Sequence, residues 1–205
     1  MNDKFFQLSL KKQVVIINAA YKVFALSEYK KAPMSEIAAE SGISKALLFH
    51  YFGNKLGLYM FLWNKCMQDT MSVMKEYRVI ETDDFFEMLS RSLRAKCSVM
   101  KKHPYSALFS LTAYYEKNPE VKERIQSNFA HQNKHALQTV LARVDSASID
   151  SRFSIEEVYQ EIIYASDGYL LERFRLGEID ADEMEMSYMK MIDLWKRAYG
   201  RSYGK

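Results

Sequence analysis

The stretch Met-Ser-Glu-Ile-Ala-Ala-Glu-Ser-Gly-Ile-Ser-Lys-Ala-Leu-Leu-Phe-His-Tyr-Phe over residues 34–52 constrains the fold of this chain more than any other part of it. It reads as two short helices separated by a glycine turn. Ile37 and Ala38 face inward on the first helix, and Ala38 is small enough for a second helix to cross close by. Gly42 stands where the chain must turn sharply, in the left-handed backbone region that glycine enters without steric cost. Ile43 plugs the corner. Ser44 is a good N-cap for the second helix, because its hydroxyl can accept from a backbone N–H that the helix leaves unpaired. Leu48 and Phe52, four residues apart, give that helix its inward face. This is the grammar of a helix-turn-helix, whose second helix enters a DNA major groove.

An ordinary helical hairpin in an α-helical core would show the same apolar spacing. The two readings part on the other side of the second helix. Its outward strips are Lys45 with Phe49 and Ala46 with His50, which combine a cation, a small surface, an aromatic ring and an imidazole. A groove-reading helix uses such a mixture. Lys45 and His50 are candidates for polar contact with DNA, and Lys55 for phosphate contact near the start of the next helix.

The segment Ser44-Lys-Ala-Leu-Leu-Phe-His-Tyr-Phe-Gly-Asn-Lys55 resembles the recognition segment of TetR/AcrR-type transcriptional repressors. The usual pattern there is Ser-Lys-Gly-Thr-Leu-Tyr-x-(Tyr/His)-Phe, two residues, then Lys. The match covers Ser44, Lys45, Leu48, Tyr51, Phe52 and Lys55, and Glu36-Ile37-Ala38 and Gly42-Ile43 fit upstream. Ala46 and Leu47 stand where the family commonly has Gly and Thr, Phe49 replaces Tyr, and Leu56 replaces a common Glu. The family's Thr and Tyr hydroxyls often contact phosphate, which Leu47 and Phe49 cannot do. Their contacts are expected to be apolar, with a thymine methyl for example. The resemblance implies a DNA surface made of Ser44, Lys45, Ala46, Leu47, Phe49, His50 and Lys55.

A chain of 205 residues is too long for a bare DNA-binding module and suits one module plus a larger body. Only three prolines and seven glycines occur, which argues for a mostly helical chain. Residues 1–60 hold eight lysines against four acidic residues, so the net charge of +3 is concentrated at that end. A basic end on a near-neutral body suits contact with a polyanion. Cys66 and Cys97 lie 31 residues apart and match no metal or redox spacing, consistent with reduced cysteines in the cytoplasm. No signal-like or membrane-spanning apolar run is present, so a cytoplasmic protein without membrane contact is expected.

The periodicity predicts about nine helices and no strands. The first runs from about Leu10 to Ser27, with Val14, Ile17, Tyr21 and Phe24 in one apolar stripe, after an arm of uncertain order over residues 1–9. Pro33 suits the first turn of the second helix. Asn54-Lys55 opens a long helix to about Arg78, whose length allows a displacement to be carried between domains. Thr82-Asp-Asp starts the next, to Lys102, and His103-Pro104 breaks it. A short helix spans Tyr105 to Glu116. Asn118-Pro119-Glu120 opens another, to about Val144. Residues 145–152 form a polar loop. Ser154-Ile-Glu-Glu157 is a capping box that launches a helix ended by Gly177, and Asp180 or Asp182 caps the last one, to about Tyr199. This count and order also resemble the TetR family. The implied architecture is all-α: a three-helix DNA-binding domain over residues 1–53, then a six-helix ligand-binding and dimerisation domain over residues 54–205.

His131 and His135 share a helix face, but Gln132 stands where a zinc peptidase has Glu and no third ligand is spaced for a metal. No phosphate-binding glycine loop and no nucleophile with its base is present, so neither an enzyme nor a cofactor is expected. Aromatic and methionine residues are abundant in the body. They serve a plain core, but they also line adaptable apolar cavities. Met67, Met71, Phe86, Met100 and Tyr105 are candidates for an effector cavity, as are Phe109, Tyr114, Phe129 and Tyr164. The last two helices carry more apolar surface than one face needs. Either the monomer buries it all or a second copy covers part. The candidates for a dimer interface are Ile155, Val158, Tyr159, Ile162, Tyr169 and Leu170 on one helix and Met189, Ile192 and Trp195 on the other. Asp167 joins them because an Asp-Gly pair like Asp167-Gly168 recurs in the penultimate helix of the family.

These features predict a homodimeric regulator of transcription, a repressor that binds double-stranded DNA at a palindromic operator and is released by a small-molecule effector. The rival from another class is a helical protein–protein adaptor without DNA binding, and a third is an enzyme with a site buried in the body.

Overall fold

The structure, a computed structural model, describes residues 3–126, 141–177 and 179–201. It is all-α, as expected. The helices are α1 (Leu10–Leu26), α2 (Met34–Ser41), α3 (Lys45–Phe52), α4 (Lys55–Glu76), α5 (Phe85–Lys102), α6 (Ser106–Tyr114), α7 (helical over 119–126), α8 (Ile155–Leu176) and α9 (Ala181–Tyr199). The expected course of α7 to Val144, together with Phe129, His131 and His135, falls on residues 127–140, outside the described residues for most of its length. Two compact units form, Met1–Asp69 with Lys102–Asn128, and Thr70–Lys101 with Phe129–Lys205.

In the first unit α1 packs on both α2 and α6. Its buried face is wider than the single stripe read from the sequence. Ile16, Ala20 and Val23 are buried with Ile17, Tyr21 and Phe24, while Val14 is only half-buried. An aromatic seam runs through this unit. Phe109 of α6 lies 5.2 Å from Tyr21, 6.4 Å from Phe24 and 5.0 Å from Tyr59, ring centre to ring centre. The Tyr21 hydroxyl donates to the Leu62 carbonyl at 3.0 Å, which meets the need of a phenol buried in apolar surroundings.

Residues 3–9, within the stretch read from the sequence as an arm of uncertain order, are ordered. Asp3–Phe5 form a 3-10 turn, and Phe5 is fully buried. Its ring lies 4.9 Å from Phe52, 5.5 Å from Phe61 and 5.8 Å from Tyr51. Burying one phenyl ring contributes about 1.5–3 kcal/mol toward ordering the segment around it.

In the second unit the core holds Phe85, Phe86, Leu89 and Met100 of α5, Val158, Ile162 and Phe174 of α8, and Met184, Tyr188, Ile192 and Trp195 of α9. The capping box is complete: Ser154 Oγ accepts from Glu157 N–H, and the Glu157 carboxylate accepts from Ser154 N–H. Gly177 ends α8, and Asp180 rather than Asp182 caps α9, accepting from both Asp182 and Glu183 N–H. Within the stretch 145–152, Ile149 is buried and forms a β-bridge with Gly200. No helix among the described residues is long and apolar enough to cross a membrane.

Candidate nucleic-acid interface

The α2–turn–α3 unit is built from local backbone chemistry. Pro33 is the N-cap of α2, with extended dihedrals, one position earlier than the expected place in the first turn. Gly42 takes φ 67° and ψ 26°, and Ile43 N–H donates back to the Ala38 carbonyl at 3.0 Å, closing a Schellman-type end. A Cβ on Gly42 would meet nothing within 4 Å, so backbone conformation, not space, calls for glycine. Ser44 caps α3, its Oγ accepting from Leu47 N–H at 3.1 Å. Leu48 and Phe52 face inward as expected, and Tyr51 is buried beside them. The next helix starts close by. Asn54 Oδ1 accepts from Gly57 N–H at 2.8 Å, and a Cβ on Gly57 would collide with the Phe52 carbonyl oxygen. Glycine at 57 therefore lets α4 begin directly against the end of α3.

This frame leaves one face of α3 to solvent. Lys45, Ala46 and His50 are exposed, and Leu47 and Phe49 are half-buried. The Lys45 ammonium sits 5.9 Å from the Phe49 ring centre, an arrangement in which ring and cation attract. Lys11 and Lys12 are exposed in the first turn of α1, which carries no acidic residue. Lys55 is placed differently from a freely extended phosphate ligand. Its Nζ donates to the Lys30 carbonyl at 3.1 Å and lies 5.2 Å from the Tyr29 ring centre, and burial pulls its ammonium below the ordinary lysine range.

Two polar contacts, neither visible in the sequence, attach these helices to the segment after α5. The Asn18 amide uses both ends, donating to the Lys102 carbonyl at 3.1 Å and meeting His103 Nδ1 at 2.6 Å. His103 is buried. Its Nε2 has no hydrogen-bond partner among the described residues and stands 3.8 Å from Asp69 Oδ2, which is paired with Lys65. Burial pushes the imidazole down to about 4, with Lys65 adding to the effect and Asp69 opposing it. The second contact is the Glu116 carboxylate, which accepts from Tyr29 N–H and from Asn118 N–H, each at 2.8 Å. The Tyr29 hydroxyl also reaches Glu120 at 3.4 Å.

The other expected site residues scatter. Among the cavity candidates, Phe86, Met100 and Phe109 are core, Met67 and Tyr105 are half-buried, and Met71, Tyr114 and Tyr164 are exposed. Met67, Tyr105, Phe109 and Tyr114 belong to the first unit, and Met71, Phe86, Met100 and Tyr164 to the second. Of the dimer candidates, Val158, Ile162, Leu170, Ile192 and Trp195 are already buried within the single chain. They offer no surface to a second copy, because each unit of a helical bundle first covers its own stripe. Ile155, Tyr159, Asp167, Tyr169 and Met189 are half-buried. The large apolar residues left exposed on α8 and α9 are Tyr164, Leu176, Met186 and Leu194. Asp167 has an electrostatic neighbour that the sequence did not reveal. Burial raises its carboxyl above the ordinary range, and Lys96 draws it back.

Residues 16–60 match the family described as bacterial regulatory proteins, tetR family. A comparison with curated proteins found no match. Among solved structures, a TetR family transcriptional regulator from Chloroflexus aurantiacus J-10-FL is similar over 98% of this chain and 98% of its own, at 20% identity and a TM-score of 0.65. The TetR family regulator PfmR from Thermus thermophilus is similar over 89% of this chain and 97% of its own, at 18% identity and a TM-score of 0.65. A third, described as the molecular basis for control of antibiotic production by a bacterial hormone, is similar over 95% of this chain and all of its own (100%), at 17% identity and a TM-score of 0.58.

Proposed function

We infer that this chain is a DNA-binding transcriptional regulator of the TetR family, a cytoplasmic homodimeric repressor released from a palindromic operator by a small molecule. The observation that carries the reading is the outer face of α3. Lys45, Ala46 and His50 are exposed on a helix whose other side is locked by Leu48, Tyr51 and Phe52. In this reading Lys45 and His50 make the polar contacts, and Ala46, Leu47 and Phe49 lie on thymine methyls or sugar. Ser44 holds the helix start against the backbone, and Lys55 approaches phosphate from its seat on Tyr29. The family match over residues 16–60 weighs against an adaptor that binds no DNA.

A helix of this size reads too few base pairs to bind tightly alone, and a dimer turns the second half-site into an intramolecular event. The exposed Tyr164, Leu176, Met186 and Leu194 support a contact between copies through α8 and α9, with Ile155, Tyr159, Asp167, Tyr169 and Met189 contributing. An effector acts by binding the two states of the dimer unequally. The similar structure described in terms of control by a bacterial hormone supports small-molecule control.

The test is selection of bound fragments from the host genome, followed by gel shift on the selected duplex, on one half of it and on random duplex at several salt concentrations. Tight, salt-dependent binding to a two-fold symmetric site and much weaker binding to its half is the expected result. Equal affinity for all three duplexes would overturn the operator reading.

A further inference from the structure

We propose that Tyr29 is a positioning residue for phosphate contact: its ring and the Lys30 carbonyl form a socket that holds the Lys55 ammonium in place for the DNA backbone. The inference rests on the DNA-reading role proposed above for α3 and Lys55.

Lys55 occupies a place that stability of the free protein disfavours. It is the first residue of α4, whose first turn carries no acidic residue, and a cation at a helix start opposes the helix dipole. It is half-buried, and the loss of water pulls its ammonium below the ordinary lysine range. Among the described residues no carboxylate offsets that loss. What holds the ammonium is neutral. The Lys30 carbonyl accepts from Nζ at 3.1 Å, and the centre of the Tyr29 ring lies 5.2 Å from Nζ. A carbonyl and a ring fix where the cation sits without cancelling its charge. The charge is left for an anion outside the protein, and a phosphate beside the outer face of α3 is such an anion.

The socket is stiff. Tyr29 lies in the loop between α1 and α2 and is buried. Its ring stacks on Phe24 at 6.4 Å and meets Tyr59 edge-on at 5.1 Å, ring centre to ring centre. Its N–H donates to the Glu116 carboxylate at 2.8 Å, which fixes the backbone just before the Lys30 carbonyl. A loose lysine must be ordered when it grips a phosphate, and ordering one such side chain at binding costs about two- to tenfold in affinity. Lys55 is ordered before DNA arrives.

The experiment measures binding of the full chain to random duplex at several salt concentrations. The variants are Tyr29→Phe and the same variant with one, two or three fluorines on the ring, each made with and without Lys55→Ala and checked for melting temperature. Ring fluorines withdraw electron density from the face that attracts the cation and barely change its shape, so the fold is kept. Lys55→Ala alone should weaken binding and lower the salt slope by about one. With Lys55 present, affinity should fall step by step with fluorination, to roughly threefold weaker at three fluorines, while the salt slope holds because the ammonium still meets its phosphate. With Lys55→Ala the series should be flat. Equal losses with and without Lys55 mean that the ring acts through the fold alone and overturn the inference. Tighter binding on fluorination also overturns it, because the socket then withholds the cation from DNA. So does a Lys55→Ala variant with unchanged affinity and slope, which leaves no phosphate contact to position. A wild type that binds no duplex at low salt instead removes the DNA-reading role on which the inference stands.

Discussion

Replacing Phe5 with Ala should destabilise the protein by about 3 kcal/mol, an outcome that a loose N-terminal arm would not produce. Deleting a buried phenyl ring costs ~3–5 kcal/mol in a core that cannot collapse. Phe5 meets that condition: it is 0% exposed and faces the rings of Phe52, Phe61 and Tyr51 at 4.9, 5.5 and 5.8 Å. Ring pairs of this geometry add roughly 0.5–1.5 kcal/mol beyond burial. Against this, the short segment before α1 can peel away and let water reach the exposed rings. That relaxation places the loss at the lower end of the range. The assay is urea unfolding followed by far-ultraviolet circular dichroism. A loss of this size lowers the midpoint by on the order of 1 M. Phe6→Ala is the control, since that ring is 52% exposed and should cost less than about 1 kcal/mol. Tyr51 and Phe52 are also the inner side of α3, so operator affinity should fall with Phe5→Ala and hold with Phe6→Ala. Equal midpoints for the two variants would refute the reasoning.

Four further outcomes are expected. The buried His103 imidazole is held down to about 4 against about 6.5 in an unfolded chain, so between those values the unfolded state binds the extra proton. Stability is complete above about 6.5 and falls by up to about 3 kcal/mol as pH drops toward 4. Urea midpoints from pH 7.5 to 4.5 should show this slope in wild type and a shallower one in His103→Gln; identical slopes would assign the acid sensitivity elsewhere. Phe49→Tyr adds a hydroxyl to the outer face of α3 and should tighten binding to random duplex by at most about 1 kcal/mol; weaker binding would mean the ring is packed in the protein and does not meet DNA. Gly57→Ala drives a methyl against the Phe52 carbonyl and should lower the melting temperature, whereas Gly168→Ala, where the new methyl meets nothing within 4 Å, should raise stability by up to about 1 kcal/mol. Leu194→Lys or Tyr164→Asp, on the exposed faces of α9 and α8, should shift light scattering toward the 24.0 kDa monomer; a wild type already at that mass would end the dimer reading.

The parts of this fold that the sequence discloses are those decided within four or five residues. A left-handed Gly42, the Ser44 cap, the Ser154–Glu157 box and the Gly177 stop depend only on neighbouring backbone, and each takes its expected form. The parts it conceals depend on partners far along the chain. Phe5 shows no periodicity that would announce its burial, because its partners are on α3 and α4. Asn18 and His103 lie 85 residues apart and match no spacing rule. Lys55 fits a phosphate-binding pattern in sequence, yet only the fold reveals that Lys30 and Tyr29 hold it. Apolar periodicity on α8 and α9 tells that Val158, Ile162, Ile192 and Trp195 are covered. It does not tell whether the cover is their own chain, and here it is.

The division of labour on α3 bears on how such a reader diverges. Ser44 is committed to the cap, and Leu48, Tyr51 and Phe52 to the interior, so changes there alter folding before they alter recognition. Positions 45, 46 and 50 belong to neither the cap nor the interior. With α3 reading DNA as proposed, a duplicated gene could exchange Lys45, Ala46 and His50 one at a time, moving its preferred base pairs while keeping a stable protein at every step. New operators would be reached by walking along three solvent-facing positions, and two paralogues could lose cross-talk without ever passing through an unfolded intermediate sequence.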